Sequence, residues 1–301
     1  MGRKVGMWMY TNGGGDCIAK KIEEKLKERD IDVIQHLDLR FAEAQNGAII
    51  CNGMNILDLD LFFSYNAGEQ TVAQVYMYEV VNDFLPTVNS FKAFKLSEDK
   101  FRSNMILSHS GVKTSDFFIC HRESHEGLYT KLQEWGQMVF KPIDGWGGAG
   151  MALLDSEEKF NMLMPFINQM NVRHIYVERF IQNNFSDFRI DIVDGEFVGC
   201  YGRKSGNRDW RTNVTAGGRV ILREANDELV DIAKRASKAL GMDIAGVDIL
   251  YDTEREEYVV LEVNGIPAFA TPEQEKMGLD FNAKKIDLIV AMIDRKTEEK
   301  R

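Results

Sequence analysis

Two acidic side chains and one amide interrupt apolar segments near the end of the chain. The segment VVLEVNGIPA contains Glu262 and Asn264 among valines and a leucine, and the segment IAGVDILYD contains Asp248. Because side chains alternate between the two faces of a strand, Glu262 and Asn264 are expected on one face. Leu261 and Val263 would take the opposite face. Burying acid and amide groups without partners is costly, so this pattern indicates a shared ligand.

The polar residues 253–257 lie between these two segments and predict a hairpin. A turn centred near Arg255 would place Asp248 directly opposite Glu262. Asn264 would then lie one pleat further along the same face. The sequence therefore predicts that three oxygen-bearing side chains converge.

Converging oxygen ligands favour a divalent cation. Two facing carboxylates repel each other, and a hard cation such as Mg²⁺ accepts carboxylate and amide oxygens and can bridge to a phosphate. The alternative is a set of half-exposed polar strand residues, which is the simpler interpretation of one isolated acid. Three oxygen ligands in hairpin register make a metal site the better interpretation.

A glycine-rich segment follows a short apolar strand in the middle of the chain. FKPIDGWGGAGM places Lys141 at the end of the strand, followed by Gly145, Gly147, Gly148 and Gly150. Glycines let backbone N–H groups approach an anion closely, and a neighbouring lysine favours a phosphate as that anion. The segment lacks the GK[ST] of a Walker A loop. For the glycines alone, an ordinary turn is the alternative.

A second loop concentrates positive charge. RKSGNRDWRTNVTAGG runs from Arg203 to Gly218, and its arginines offer planar forks that match phosphate and carboxylate oxygens. In a chain with a formal charge of −10, this local density indicates a bound anion, with a solvated basic loop as the alternative. Lys100, taken alone, is interpreted as an exposed helix lysine.

Composition narrows the function classes. The net charge of −10 over 301 residues argues against a nucleic-acid surface.

The four cysteines form no CxxC pair, so neither a zinc nor a redox site is indicated. With reduced thiols, no signal peptide and no apolar stretch of about 18 residues, the sequence predicts a cytoplasmic protein without a membrane span. His121 and His125 lack the HExxH order and are expected to be exposed.

Alternating strands and amphipathic helices predict an N-terminal parallel α/β domain over residues 1–95. Its predicted elements are strands at 4–10, 32–39, 47–51 and 59–65, and helices at 17–29 and 71–82. After a boundary near residues 89–95, helices and antiparallel strands predict an α+β remainder.

Six motifs stand in an order that resembles the ATP-grasp superfamily: Lys100, KPIDGWGGAG, VERFI, RTNVTAGG, the acid of AGVDIL and the E-x-N of LEVNGIPA. Within it, the chain is similar to the RimK-type glutamate ligases, with a glutathione-synthetase-like character in two motifs. The resemblance implies an ATP-grasp fold: a Rossmann-like pre-ATP-grasp domain at 1–95, a lid subdomain at 96–177, and a C-terminal subdomain with the metal site at 178–301.

The resemblance also implies ATP as a substrate and assigns its contacts. Lys100 and Lys141 would contact the α- and β-phosphates. The loop over the phosphates would include Gly145, Gly147 and Gly148. The adenine and ribose contacts would come from Glu178, from the backbone of Arg179, Phe180 and Ile181, and from Asp187.

The remaining motif residues imply the catalytic groups and the metal ligands. Arg211 and Asn213 would approach the γ-phosphate, and Arg203 the carboxylate that is activated. Two Mg²⁺ ions, with Mn²⁺ as a substitute, would be held by Asp248, Glu262 and Asn264.

The chemistry implied by the resemblance needs no protein nucleophile. A substrate carboxylate attacks the γ-phosphate to give an acyl phosphate, and an amine then displaces phosphate to leave an amide. Catalysis of this kind depends on positioning and charge neutralisation, which suits a site of cations and metal ligands. The predicted function is therefore an ATP-dependent carboxylate-amine ligase, which would add an amino acid such as glutamate to a small molecule or peptide.

Two alternatives stay open, and one departure bears on the substrate. A glutathione-synthetase-like peptide ligase and a non-catalytic nucleotide-binding regulatory protein are the other hypotheses. After Asn264 the chain reads GIPAFATPEQ, where the RimK pattern has a small residue, Ser and Pro-Gly. Because that segment normally helps to hold substrate, glutamate is not fixed as a substrate. A homodimer or homotetramer would suit the resemblance.

Overall fold

The computed structural model describes residues 2–66, 71–143, 150–169, 173–206, 210–212 and 217–299. Within these residues, one parallel sheet near the N-terminus is followed by antiparallel sheets with helices packed against them. This mixed architecture confirms the α/β and α+β fold class. None of the described helices combines the length and apolar character that a membrane span requires.

The N-terminal part is built on a parallel sheet. Its strands and helices are β1 (Arg3–Met9), α1 (Gly15–Lys27), β2 (Ile31–Ile34), β3 (Glu43–Gln45), β4 (Ala48–Cys51), β5 (Met54–Asn55), β6 (Leu61–Tyr65), α2 (Val72–Phe84) and β7 (Thr87–Val88). The parallel sheet has the order β2-β1-β6-β7. Helix α1 packs on it through Ile18, Ile22 and Leu26, which recur every fourth residue and are buried.

The strand predicted at 47–51 is not part of the parallel sheet, so that prediction is wrong. β4 pairs with β3 and β5 in a separate antiparallel sheet. Asn46 and Gly47 have φ of 48° and 82°, and Asn52 and Gly53 have φ of 49° and 74°. Positive φ at two successive residues gives the tight Asn-Gly hairpin turn, which keeps consecutive strands antiparallel.

The middle part carries a second, antiparallel sheet with the order β10-β9-β11-β8. Its strands and helices are α3 (Phe91–Ser97), α4 (Lys100–His109), β8 (Phe117–His121), α5 (Glu126–Trp135), β9 (Met138–Phe140), β10 (Ala152–Leu154), α6 (Glu157–Gln169) and β11 (His174–Arg179). The boundary predicted between residues 177 and 178 falls inside β11, which hydrogen-bonds to β8 and β9. The strand therefore belongs with this sheet to its end.

The C-terminal part is a five-stranded antiparallel sheet with the order β14-β13-β12-β15-β16. Its strands and helices are β12 (Ser186–Val193), β13 (Glu196–Lys204), β14 (Arg219–Ile221), α7 (Asp227–Ala239), β15 (Ile244–Asp252), β16 (Glu257–Asn264), α8 (Pro272–Lys276) and α9 (Asn282–Glu299). Asn226 caps α7 by accepting from the N–H of Leu229, and Leu229, Ile232 and Ala236 bury one face of this helix. Helix α7 packs on one face of this sheet, and Val193 and Val198 of the sheet share a buried cluster with helix α9.

The C-terminal helix α9 packs against the N-terminal part of the chain. Ile289 and Ile293 share a buried cluster with Val5 of β1 and Ile22 of α1. The N-terminal sheet is therefore packed directly against the part of the chain that follows the predicted metal ligands.

Candidate active site

The polar face of the β15–β16 hairpin has the predicted register. Asp248 lies directly opposite Glu262, and Asn264 pairs with Gly246. The amide nitrogen of Asn264 is 3.3 Å from Oδ2 of Asp248. The predicted hairpin, with its three oxygen-bearing side chains side by side, is confirmed.

A β-bulge follows immediately. The register shifts between Asp248 and Ile249, so that Ile249 pairs with Val260. Leu261 packs in the small apolar cluster on the site side, whereas Val263 packs in the core beneath α7. The expectation that Leu261 and Val263 share a face is wrong, because a bulge places two residues of one strand opposite a single partner. The bulge adds an apolar side chain beside Glu262 on the site face.

Two arginines neutralise Asp248 in the interior. Arg189, on β12, donates from Nε to Oδ1 of Asp248, and its terminal nitrogen is 3.0 Å from Oδ2. A terminal nitrogen of Arg203 lies 2.9 Å from the same Oδ2. Burial by itself raises the pKa of Asp248, but the charges and hydrogen bonds of both guanidinium groups outweigh it, so the pKa lies below its usual range.

Asp187 holds Arg203 from the other side. Nε of Arg203 is 3.1 Å from both oxygens of Asp187, and the hydroxyl of Thr212 donates to Oδ2 at 2.6 Å. Asp187 is fully buried. Both of its oxygens are engaged in these bonds, and its predicted contact with a ribose stays a prediction.

Lys100 approaches the third acid from a separate helix. It is the first residue of α4, which Asp99 caps by accepting from the N–H of Arg102. Nζ of Lys100 is 3.4 Å from Oε1 of Glu262. The helix thus brings a phosphate-binding candidate next to a metal-binding candidate.

A second buried acid lies on β11, in the middle sheet. Glu178 forms an ion pair with Lys141 and accepts from the hydroxyls of Ser115 at 2.7 Å and Tyr176 at 2.9 Å. The Tyr176 hydroxyl in turn accepts from the amide of Asn104 at 2.8 Å. Burial and the neighbouring Glu178 charge raise the pKa of Tyr176, so the hydroxyl is a stable donor.

A pocket opens between this acid and the hairpin. Its empty volume is about 510 Å³, part of which is open to solvent. Its walls include Lys141, Glu178 and Arg211, with apolar surface from Phe180, Ile181, Trp210, Leu250 and Leu261.

One polar atom in this pocket stands out. Oδ1 of Asn183 is buried and has no hydrogen-bond partner among the residues that the structure describes. A buried acceptor without a partner is costly unless a ligand supplies a donor.

Two of the backbone groups predicted to contact adenine already form hydrogen bonds within the protein. The N–H groups of Arg179 and Phe180 donate to the carbonyl oxygens of Asp116 and Gln137.

The segment after Asn264 is held by a fully buried lysine. Nζ of Lys285 donates to the carbonyl oxygens of Pro267 at 2.8 Å and Ala268 at 3.2 Å, and to Asp191 at 2.7 Å. Burial lowers the pKa of Lys285, although the charge of Asp191 opposes that shift. The GIPAFA segment is therefore anchored at the point where it departs from the RimK pattern.

The predicted site residues divide into three groups. Asp248, Arg203, Asp187, Glu262, Lys100 and Asn264 come together around the hairpin, and Lys141, Glu178, Arg179, Phe180, Ile181 and Arg211 line the pocket. Gly145, Gly147, Gly148 and Asn213 lie outside the described residues. Within the described residues, no three His, Cys, Asp or Glu side chains form a metal-binding group, which leaves the mixed set of two acids and one amide.

Arg189 and Asn183 are among the site residues that the sequence analysis did not identify. Arg189 alternates with Asp187 and Asp191 along β12, the same every-second-residue pattern that marked Glu262 and Asn264. That pattern could have identified it. Asn183 carries no such signal, because it lies in the segment between strands and only tertiary packing brings it to the pocket.

This part of the chain matches a known protein family. The RimK-like ATP-grasp domain matches residues 97–289, more than half of the chain, and this range contains the hairpin, both buried acids and the pocket. The chain belongs to the RimK-like ATP-grasp family. Membership confirms the predicted fold, the use of ATP and the carboxylate-amine ligase class.

Two curated relatives and one solved structure illustrate the similarity. The tetrahydromethanopterin:alpha-L-glutamate ligase of Methanocaldococcus jannaschii is 28% identical over 218 residues, which cover 70% of this chain and 73% of that protein. The ribosomal protein bS6–L-glutamate ligase of Salmonella paratyphi B is 27% identical over 218 residues, covering 72% and 71%. The ATP-grasp ligase PsnB, solved with a minimal precursor, has a TM-score of 0.70 at 18% identity and covers 97% of this chain and 99% of its own. The ATP-grasp similarity in fold thus extends over the N-terminal sheet.

Proposed function

We propose that this ATP-grasp ligase joins an amino acid such as glutamate to the carboxylate of a small molecule or peptide. The observation that carries the proposal is the hairpin pair Asp248 and Glu262, with Asn264 beside them and Lys100 only 3.4 Å from Glu262. The glutamate ligases among the relatives support the choice of amino acid. A small-molecule or peptide acceptor is compatible with the same relatives and with PsnB. The cytoplasmic location stays a prediction.

The pocket between the two buried acids suits the nucleotide. Its apolar walls could take an adenine, with the ring of Trp210 packed edge-on against Phe180 at 5.9 Å. The unpartnered Oδ1 of Asn183 could accept from a ribose hydroxyl or from the adenine amino group. Lys141, at the same wall, would meet a phosphate as a point charge.

The hairpin suits a divalent cation by the chemistry of its donors. Asp248 and Glu262 supply carboxylate oxygens, and the amide nitrogen of Asn264 is turned toward Asp248, which leaves its Oδ1 as the ligand atom. Bound Mg²⁺ would neutralise the phosphate charge that builds up during transfer. We propose two ions, with Mn²⁺ as a substitute.

The proposed reaction has two steps, and both depend on how the site holds the substrates. The substrate carboxylate oxygen forms a bond to the γ-phosphorus while the bond to the β–γ bridging oxygen breaks and ADP leaves. The amine next attacks the acyl carbon, and phosphate departs as the amide forms. Arg203, fixed between Asp187 and Asp248, would orient the carboxylate, and Arg211 would face the transferred phosphate.

Replacing Glu262 by Gln tests the proposal. The change removes one carboxylate ligand from a side chain that is 27% exposed, so ADP formation should fall by about 10²-fold to 10³-fold with the fold intact. Glu257→Gln is the matched control, because Glu257 lies on the same strand, forms an ion pair with Lys113 and is 24% exposed. Steady-state ADP release and a thermal melt would be measured for both. Undiminished turnover in Glu262→Gln would rule out the metal assignment.

The substrates would be identified by a phosphate-release screen. Amino acids are tested against candidate carboxylates, and product masses are read afterwards. A gain of one amino acid less water identifies the ligation, and the amine that supports release separates a glutamate ligase from a glutathione-synthetase-like enzyme. ATP binding without phosphate release from any pair would favour the regulatory alternative.

A further inference from the structure

A second pocket lies at the carboxyl edge of the N-terminal parallel sheet. Strand β1 has β2 on one side and β6 on the other, so the direction in which the chain adds strands reverses between β1 and β6. In open α/β sheets, ligands bind outside the carboxyl ends of the strands at this point of reversal. Trp8 and Ser64 are paired there, each one residue before the end of its strand, and both line the pocket. We call this space the switch-point pocket.

The switch-point pocket adjoins the segment that leaves the predicted metal site. Gly265 and Ile266 line it, and they directly follow the predicted ligand Asn264. Asn89 fixes this wall, because its amide nitrogen donates to the carbonyl oxygen of Gly265 at 2.8 Å. The empty volume is about 430 Å³, part of which is open to solvent. The pocket is therefore a space between the N-terminal sheet and the active-site segment.

One side chain in the switch-point pocket has an unsatisfied acceptor. Oε1 of Gln74 is buried and has no hydrogen-bond partner in the part of the chain that the structure describes. Only 6% of Gln74 is exposed. A buried acceptor without a partner lowers stability. A ligand that donates a hydrogen bond to Oε1 would remove that cost.

The same sequence pattern elsewhere in the chain shows what Gln74 does not do. Helices α2 and α8 both begin with Thr-x-x-Gln, the capping-box pattern, in which the glutamine accepts from the N–H of the threonine. In α8, Oε1 of Gln274 accepts from the N–H of Thr271 at 3.0 Å. In α2, Thr71 accepts from the N–H of Gln74, but Oε1 of Gln74 does not make the return bond. Its side chain lines the pocket instead, which indicates a role other than capping.

The lining of the pocket defines the chemistry of the group that it accepts. It combines apolar and neutral polar side chains, which include Trp8, Val75, Phe94 and Ile266 together with Ser64 and Gln74. None of the described residues that line it carries a charge. A charged group would lose its hydration there without gaining a counter-charge. The bound group is therefore uncharged and carries an N–H or O–H donor, and a carboxamide meets both conditions.

We propose that the switch-point pocket holds an uncharged carboxamide of the carboxylate substrate, which donates an N–H to Oε1 of Gln74. This inference rests on the proposed ligase function. The carboxamide lies apart from the reacting carboxylate, which Arg203 orients at the hairpin. The contact selects a peptide-like acceptor over a free dicarboxylic acid, because a second carboxylate would have no partner in the pocket.

Saturation-transfer NMR on the full chain measures this pocket without ATP or turnover. The probe is propionamide, and its isostere propionate carries the charge that the pocket excludes. The loss of one hydrogen bond should reduce the propionamide signal by roughly fivefold in Gln74→Met. The matched control Gln274→Met should leave the signal unchanged, because Gln274 lies outside the pocket.

Propionate provides the second comparison, because any signal from it should arise elsewhere, such as at Arg203. That signal should be the same in the unaltered protein and in Gln74→Met. Three results would overturn the proposal: no propionamide signal from the unaltered protein, an equal propionamide signal in Gln74→Met, or an equal loss for propionate.

Thermal melts of the same two variants test the unsatisfied acceptor. Gln74→Met replaces an amide whose Oε1 lacks a partner by an apolar side chain of similar length, so the melting temperature should rise by about 2 °C or more. Gln274→Met breaks a formed capping box and should lower the melting temperature. A lower melting temperature in Gln74→Met would show that Oε1 serves the fold, which contradicts a ligand-binding role.

Turnover separates the pocket from the ligase activity. With L-glutamate as the amine, glycyl-L-glutamine is compared with glycyl-L-glutamate, in which a carboxylate replaces the carboxamide. The kcat/KM for ADP formation should favour the carboxamide, and Gln74→Met should remove that preference. A preference for glycyl-L-glutamate, or a carboxamide preference that survives in Gln74→Met, would count against the pocket. Absence of turnover with every carboxylate would contradict the ligase proposal, and the NMR result would still decide the pocket.

Discussion

Glu178 and Asp248 are buried carboxylates of the active site that are neutralised in different ways. Glu178, in the middle sheet, has one lysine partner and neutral donors from Ser115 and Tyr176. Asp248, in the C-terminal sheet, has two arginine partners and no lysine among the described residues. The lysine cluster lines the pocket of the candidate active site, and the arginine cluster lies at the β15–β16 hairpin.

This difference determines how each cluster responds to the loss of its acid. A buried lysine that has lost its acid can release a proton and become neutral. An arginine cannot, because its guanidinium stays charged at any pH that a protein survives. The C-terminal cluster therefore depends on its acids to balance two permanent guanidinium charges.

The largest effect is expected from the substitution that disrupts the arginine cluster. Asp248→Ala leaves the Arg189 guanidinium without an acid on its bonding side, so the free energy of unfolding should fall by about 3–5 kcal/mol. Glu178→Ala should cost less, because Glu178 has one charged partner and Asp248 has two. Urea unfolding of both variants gives the comparison, and equal costs would contradict it.

A smaller effect is expected when the two-pronged guanidinium of Arg189 is replaced by an ammonium group. Arg189→Lys keeps the positive charge but loses one of two charged hydrogen bonds to Asp248, which should cost about 1.5–3 kcal/mol of unfolding free energy. Arg235→Lys is the control, since Arg235 forms only an exposed ion pair with Asp231, and should change stability by less than about 0.5 kcal/mol. Chemical unfolding measures both. Equal effects would mean that the fork at Asp248 adds nothing beyond charge.

The smallest effect concerns the neutral donors of the lysine cluster. Tyr176→Phe removes the hydroxyl between Asn104 and Glu178 and should cost about 1 kcal/mol of unfolding free energy. Tyr129→Phe, whose exposed hydroxyl donates to Asn161, should cost only a few tenths of a kcal/mol. Thermal unfolding distinguishes the two. A cost for Tyr176→Phe as large as that of Asp248→Ala would show that the two clusters are equally rigid.

The sequence predicted most of the architecture, and its errors have identifiable causes. Periodicity located α1, α7 and the hairpin, because these elements have one apolar face and one polar face. It placed the strand at 47–51 in the wrong sheet, although the two Asn-Gly pairs carried the hairpin signal. The β-bulge beside Asp248 was missed, and a bulge leaves no trace in an apolar run.

For the active site, the sequence by itself determined the chemical types and the pairing of the hairpin, because strand alternation and turn position fix which side chains are neighbours. It also supplied Lys141 at the end of an apolar strand, whereas Lys100 and Glu178 were assigned through the family resemblance. Only the tertiary structure decided that Glu178 pairs with Lys141, that Arg189 and Arg203 share Asp248, and that Asn183 reaches the pocket. These contacts join residues from separate elements, and the packing of whole sheets and helices sets their distances, which no local pattern encodes.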